Sequence, residues 1–150
     1  MTLQAKLYLL DTNVISDMMR NPAGTVAQRV FLIAANESNS KVCTSVVVEC
    51  ELLFGLRRRT NPHWSTQFKR VMASIDVLAL ESTVATHYAD LRARLELSGT
   101  PIGPNDTLIA AHALALGATL VTADAEFARV TGLRVENWLL EDPRTASINS

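Results

Sequence analysis

The chain has 150 residues, the size of one domain, and 48% of them are hydrophobic, which is more than a protein with one solvated sheet face needs. Its formal net charge is −1, from 14 basic and 15 acidic residues, so bulk electrostatics does not indicate a nucleic-acid binder. Two cysteines, Cys43 and Cys50, are too few for a disulfide framework or a zinc site, and they favour a reducing cytoplasm.

The first half of the chain alternates short apolar runs with helical patterns. Residues 7–10 predict a strand that stops at Asp11, and a short helix should begin near Asn13. After a break at 21–24, the apolar spacing predicts an amphipathic helix over 25–37. The remaining elements expected here are a strand at 42–44, a helix over 46–59 and a helix over 64–74.

The second half continues the alternation. Asn105 should cap a helix over 106–116, and Gly117 should end it. The longest uncharged stretch, 107–123, is shorter than the roughly 20 residues of a membrane-spanning helix. The other elements expected are strands at 77–80, 119–121 and 133–135, a helix capped by Ser82 or Thr83, and a fraying polar tail at 139–150.

Short strands that alternate with helices predict parallel βαβ units. We therefore expect an α/β protein in which a short central parallel sheet lies between two helical layers. No repeat, low-complexity block or linker divides the sequence, so we expect one domain with its core at about 6–138.

Four acidic residues fall where a site is expected. Asp11 closes the first strand and Asp124 follows the strand at 119–121, and open parallel sheets form their sites beyond the carboxyl ends of strands. Asp106 lies in the first turn of a helix behind a Gly-Pro loop. Glu51 lies on an otherwise apolar helix, where an ionised side chain is costly unless it is paired or coordinated. Each residue alone also has a structural explanation, as a cap, a first-turn acid or a turn residue.

Together the four carboxylates predict a metal site. Like charges at one sheet edge repel, so some would take up protons unless a divalent cation joins them. An all-oxygen ligand set suits Mg²⁺ or Mn²⁺, and such an ion polarises a phosphoryl oxygen and activates water for phosphodiester hydrolysis. The glycine-rich phosphate loops and the G-x-S-x-G elbow of competing chemistries are missing from the sequence.

The three histidines are expected to be packed or capping residues rather than metal ligands. They are His63 in a loop, His87 on a surface helix and His112 in an alanine-rich helix.

Basic residues concentrate in one segment. Residues 52–75 contain no acidic residue, and they include Arg57, Arg58 and Arg59. This segment could contact phosphate, form a solvated helix end favoured by the helix dipole, or bind an acidic protein segment. Arg92 and Arg94 are alternative phosphate contacts.

Five segments, in this order and spacing, resemble the PIN-domain ribonucleases and, more narrowly, the VapC-type toxins of bacterial toxin–antitoxin pairs. They are Leu10–Val14, Glu51–Gly55, Gly99–Asp106, Val121–Asp124 with Phe127, and Gly132–Trp138. The resemblance spans residues 6–138.

The resemblance implies an α/β/α PIN fold and a Mg²⁺- or Mn²⁺-dependent endoribonuclease that acts as the toxin of such a pair. It implies that Asp11, Glu51 and Asp106 are the core metal-binding and catalytic acids and that Asp124 is the fourth. Thr12, Asn13 and Thr122 would orient these carboxylates, and Glu126 would assist or replace Asp124.

The resemblance also implies partners. These are a VapB-type antitoxin that inserts a segment into the active-site groove, an RNA substrate, and a second copy in a homodimer that joins a heterotetramer or octamer. The alternative from another class is a non-catalytic regulatory module that binds an antitoxin and its operator DNA without cleaving RNA.

Overall fold

A computed structural model describes residues 6–35 and 39–140 and contains a five-stranded sheet in which every pairing is parallel. The strands are β1 (Leu7–Leu10), β2 (Lys41–Ser45), β3 (Asp76–Leu78), β4 (Thr119–Val121) and β5 (Val135–Glu136). Their order across the sheet is β3-β2-β1-β4-β5. The chain first builds outward from β1 to β3 and then crosses to β4, so the topology reverses between β1 and β4. Ligands of open parallel sheets bind at such a reversal.

Helices flank this sheet, as the alternating pattern predicts. They are α1 (Thr12–Arg20), α2 (Thr25–Ala35), α3 (Val46–Arg58), α4 (Pro62–Met72), α5 (Thr83–Leu97) and α6 (Pro104–Leu116). A short 3₁₀ helix, Ala125–Arg129, follows β4. In the described ranges, no helix is both long and apolar enough to cross a membrane.

The core lies around the two central strands. Leu9, Leu10, Leu120 and Val121 are all fully buried, so successive side chains on both faces of β1 and β4 are covered. Burial of both faces explains why these strands read as continuous apolar runs instead of alternating patterns. The resulting rigid strands hold the loops that follow their carboxyl ends.

Two helix starts differ from the sequence-based expectation because proline occupies the first turn. Helix α4 begins at Pro62, so the prediction that His63 lies in a loop was wrong. Helix α6 begins at Pro104 with Gly103 at its N-cap, so Asn105 lies inside the helix and does not cap it. Proline favours the first helical position, where its fixed φ fits and its missing N–H is not needed.

Two strand positions also differ. Strand β3 is Asp76–Leu78 instead of 77–80, and β5 is Val135–Glu136 instead of 133–135. Both are edge strands, whose limits depend on one neighbour, and their pairing with β2 and β4 sets the register. The expected helix end at 36–37 and the tail at 141–150 lie outside the described residues.

A buried serine–histidine pair holds the start of α3. Ser45 Oγ accepts a hydrogen bond from the backbone N–H of Val47 and lies 2.8 Å from Nδ1 of His112 on α6. The His112 ring also bonds the backbone of Ala79, and its burial lowers the imidazole pKa below the ordinary value. His112 is therefore a packed structural residue, as the sequence predicts.

Replacing Ser45 with alanine should lower the free energy of unfolding by about 1–3 kcal/mol, because a buried N–H and a buried ring nitrogen lose their partner. The matched control is Ser82→Ala. Ser82 is the exposed N-cap of α5 and makes no capping bond with its side chain, so its loss should cost less than about 0.5 kcal/mol. Urea unfolding measures the free energy of unfolding of both variants. Equal losses in the two variants would show that the Ser45–His112 pair does not stabilise the fold.

Candidate metal centre

Asp11 lies at the reversal point of the sheet and is 4% exposed. Its backbone N–H donates to the Val121 carbonyl (2.9 Å), which extends the pairing of β1 and β4 by one residue. Its Oδ1 accepts from the Thr12 N–H (2.8 Å), so Asp11 is also the N-cap of α1. Its Oδ2 accepts from Thr122 Oγ1 (2.7 Å) and Asn13 Nδ2 (3.2 Å). Both oxygens of the carboxylate are therefore held in fixed directions.

Thr122 joins the loops that follow β1 and β4. Its hydroxyl donates to Asp11 and accepts from Asn13 Nδ2 (3.2 Å) and from the Asp124 N–H (3.0 Å). Asn13 Oδ1 in turn accepts from the Ala123 N–H (3.0 Å). One hydroxyl donor and two acceptor positions are thus all used, so Thr122 sets the position of Asp11 relative to Asp124.

Asp106, Asp124 and Glu126 form the tightest carboxylate group. One oxygen from each lies within 4.8 Å of the others. Oxygens bound to one Mg²⁺ are at most about 4.2 Å apart, so this spacing is close to that of a coordination shell. Asp124 also caps the 3₁₀ helix by accepting from the Glu126 N–H (2.9 Å). That turn directs Glu126 toward Asp106, which the sequence spacing alone does not reveal.

Glu51 approaches the same centre from α3. Its Oε1 accepts from Thr12 Oγ1 (2.9 Å), which links α3 to the start of α1. The expectation of a buried apolar surrounding was wrong, because Glu51 is only half-buried and the next turn, Phe54 and Gly55, is exposed. The apolar residues of α3 that are buried, such as Leu52, lie on the side of the helix that faces the core.

The carboxylates of this centre carry like charges and repel one another. The pKa of the Asp106 carboxyl is raised to about 6, first by burial and then by repulsion from Asp11, Asp124, Glu51 and Glu126. Burial also raises the pKa of Asp11 above its ordinary value, against the effect of its hydrogen-bond donors, and the charge of Asp124 adds to the rise. Five carboxyl groups thus converge on one region. Four of them are the acids that the sequence predicts there, and the fifth, Glu126, lies closer to the others than its sequence position suggests.

The basic candidates lie at the surface. Arg57 and Arg58 are in the last turn of α3 and Arg59 is its C-cap, and all three are exposed. The Arg92 guanidinium is hydrogen-bonded to Glu96 and Tyr88 on α5. Arg94 and His87 are exposed on the same helix.

A family model described as the PIN domain matches residues 8–133. The chain belongs to the PIN-domain family. It is 35% identical, over 87% of its length and 97% of the relative's, to a Shigella flexneri protein named tRNA(fMet)-specific endonuclease VapC. It is 33% identical, over 88% of its length and 98% of the relative's, to Ribonuclease VapC1 of Haemophilus influenzae. These relatives place the chain in the VapC group of PIN domains.

Solved structures agree with this assignment. The toxin–antitoxin structure of VapBC2 from Rickettsia felis, bound to a promoter DNA fragment, contains a chain with a TM-score of 0.81 to this one. The two chains are 29% identical, over 88% of this chain and 98% of that one. A chain of DNA-bound VapBC from Salmonella typhimurium has a TM-score of 0.76 to this one. The two chains are 29% identical, over 89% of this chain and 98% of that one.

The donor set of this PIN domain fits a hard divalent cation. The groups that converge are carboxylates, and all-oxygen sites suit Mg²⁺ or Mn²⁺ rather than zinc or copper. A cation there would also relieve the repulsion that, after burial, raises the pKa of Asp106. The sequence predicts Glu126 only as a residue that assists or replaces Asp124, whereas in the structure its carboxylate lies in one group with those of Asp106 and Asp124.

Proposed function

We propose that the protein is a Mg²⁺- or Mn²⁺-dependent endoribonuclease and the toxin of a toxin–antitoxin pair. The main support is the convergence of five carboxyl groups beside the β1–β4 reversal, where burial and then repulsion from the other four raise the pKa of Asp106 to about 6. A fold without an ion gains nothing from such repulsion. The names of the relatives, which are ribonucleases and an endonuclease, support the same activity.

In this proposal Asp11, Glu51 and Asp106 hold the cation, and Asp124 completes the site with Glu126 beside it. The ion, when bound, polarises a phosphoryl oxygen and lowers the pKa of water for attack on phosphorus. Neighbouring polar side chains of the protein orient the carboxylates. Thr122 and Asn13 fix Oδ2 of Asp11, and Thr12 fixes Oε1 of Glu51.

The same charges explain why cleavage should depend on the ion. A phosphodiester is anionic and would be repelled by the ionised carboxylates near Asp106. A cation held by these carboxylates would lower that repulsion and so favour binding of the substrate. Arg57, Arg58 and Arg59, exposed at the end of α3, are proposed to bind flanking phosphates.

We infer the partners of the protein, an antitoxin and an RNA substrate, from its relatives. The structural neighbours VapBC2 of Rickettsia felis and VapBC of Salmonella typhimurium support a VapB-type antitoxin. The Shigella relative is named for tRNA(fMet), and a net charge of −1 suits a structured RNA that is read locally. We also propose a cytoplasmic homodimer able to join a larger complex with the antitoxin. Sizing of the protein with and without its antitoxin tests that assembly.

The alternative of a non-catalytic module that binds antitoxin and operator DNA has weaker support. Binding alone gives no reason to hold five carboxyl groups against one another. The neighbours that were solved with bound DNA are VapBC complexes, and the relatives named for an activity are nucleases.

Incubation of antitoxin-free protein with labelled total RNA tests the activity. The proposal expects discrete cleavage with Mg²⁺, no cleavage with EDTA, and no cleavage by Asp11→Asn or Asp106→Asn. Cleavage that survives EDTA would overturn the metal mechanism. A lack of cleavage of any RNA, by a folded protein with Mg²⁺, would favour the binding module.

Replacing Thr122 with valine should lower the cleavage rate by about 10- to 100-fold, because Asp11 and Asp124 lose the hydroxyl that joins them. Thr122→Ser keeps that hydroxyl and should retain most of the activity. Single-turnover cleavage at saturating Mg²⁺ measures both. Equal rates for valine and serine would show that the hydroxyl does not position the carboxylates.

A further inference from the structure

An exposed aromatic ring lies about one helical turn from Glu51 and is not part of the hydrophobic core. Phe54 is 62% exposed and follows Glu51 by three residues on α3. Helical geometry places it about 60° around the helix and about 4.5 Å further along the axis than Glu51. A single exposed apolar side chain is common on protein surfaces, so the ring gains significance only from the residues around it.

A cation accompanies this ring. The Arg58 guanidinium carbon lies 5.6 Å from the centroid of the Phe54 ring. Residues 52–75 contain no acidic residue, so no nearby carboxylate in the sequence competes for this arginine. An exposed ring with a guanidinium beside it suits a nucleic acid, because the ring stacks on a base and the guanidinium binds a phosphate.

Gly55 leaves a gap on the same face. An alanine would make this part of a helix more stable, because glycine loses more conformational freedom on folding. Its φ is not among the positive values of the described glycines, and no heavy atom lies within 4 Å of the position that a Cβ would take. That space is clear of every heavy atom outside the adjacent residues and the surrounding helix backbone, so neither backbone conformation nor packing against the rest of the described protein requires glycine here. The missing side chain instead allows a ligand to approach the helix closely.

We propose that a single-stranded segment of the RNA substrate, next to the scissile phosphate, lies along this face of α3. One base stacks on Phe54, the backbone passes over Gly55, and a flanking phosphate binds Arg58. The inference rests on the proposed ribonuclease activity and extends it to substrate binding. An RNA strand can contact all three residues, which follow Glu51 on α3 by three, four and seven positions.

Binding of a labelled RNA of about ten randomised nucleotides tests the proposal, since stacking tolerates every base. The protein carries Asp106→Asn so that the RNA survives. Phe54→Leu should raise the dissociation constant by about 5- to 30-fold. The matched control is Phe31→Leu, because Phe31 is 55% exposed but lies on α2. It should leave the constant unchanged.

Two further variants separate binding from structure. Phe54→Trp should bind RNA normally and show tryptophan fluorescence that RNA quenches, whereas the fluorescence of Phe31→Trp should not respond to RNA. Gly55→Ala should raise the thermal unfolding midpoint by about 2–4 °C and still weaken RNA binding. A folding role for Gly55 predicts a lower midpoint instead.

Equal RNA affinities of Phe54→Leu and Phe31→Leu would overturn the proposal. So would a Phe54→Leu protein that binds RNA normally but changes in oligomeric mass or in antitoxin affinity, since this face would then be a protein interface. Failure of the unmodified protein to cleave RNA with Mg²⁺ is a separate result. It would reject the ribonuclease activity, whereas unequal affinities of the two leucine variants would still support RNA binding at Phe54.

Discussion

Replacing Asp106 with asparagine is expected to abolish RNA cleavage and to make the metal-free protein more stable. Asparagine keeps the shape but removes one ligand charge from the centre. A bound ion supplies several kcal/mol of transition-state stabilisation, so its loss should lower the cleavage rate by about 10³-fold or more. Single-turnover cleavage with saturating Mg²⁺ measures this loss.

The gain in stability follows from the pKa. In the folded protein the pKa of Asp106 is raised from 3.8 to about 6, so the protonated form favours folding. That contribution is complete below about pH 4 and is lost as the pH rises through about 6. Because Asp106 is half-exposed, water screens the effect, and we expect Asp106→Asn to gain about 1 kcal/mol at pH 7.5.

Chemical unfolding of the metal-free proteins between pH 4 and pH 8 measures this effect. His112, whose pKa is lowered, and Asp11, whose pKa is raised, titrate in both proteins, so the difference between the two proteins reports Asp106 together with its repulsion from neighbours such as Asp11. Mg²⁺ should stabilise the unmodified protein more than the variant. A variant that is less stable than the unmodified protein at pH 7.5 would contradict the repulsion among the five carboxyl groups.

Asp11→Asn should lose cleavage to a similar extent but change stability in the opposite direction. The carboxylate accepts hydrogen bonds from three donors, the Thr12 N–H, the Thr122 hydroxyl and the Asn13 amide. An asparagine has one acceptor oxygen, and its amide N–H would face at least one of those donors whichever way it turns. A buried unsatisfied donor costs about 1–3 kcal/mol, which outweighs the relief of removing a buried charge.

Urea unfolding at pH 7.5 without metal compares the two asparagine variants directly. The expected order of stability is Asp106→Asn, then the unmodified protein, then Asp11→Asn. If both variants gained stability, repulsion would dominate at Asp11 as well, and the hydrogen-bond network would not hold that carboxylate in place.

Those features of the site that depend on strand ends could be predicted from the sequence. Asp11 and Asp124 follow apolar runs, and the parallel topology brings such ends to one edge. Asp106 behind a Gly-Pro loop was placed in the first turn of a helix, which the structure confirms even though that helix starts at Pro104. These predictions depend on local patterns of one or two elements.

The features that depend on distances between loops could not be predicted in the same way. Glu126 reaches Asp106 because Asp124 caps a 3₁₀ turn, and nothing in the spacing of these residues requires that turn. The half-exposure of Glu51 depends on which side of α3 faces the core. The significance of Phe54 and Gly55 also appears only once their surroundings are known.

RNA cleavage by this protein should depend directly on a divalent cation bound by the acidic centre. Binding of Mn²⁺ can be followed by electron paramagnetic resonance while the single-turnover cleavage rate is measured on the same samples. We predict that occupancy and rate rise over the same Mn²⁺ concentrations in the unmodified protein and that both are lost in Asp106→Asn. A full cleavage rate at concentrations where no Mn²⁺ is bound would contradict a role for the cation in cleavage.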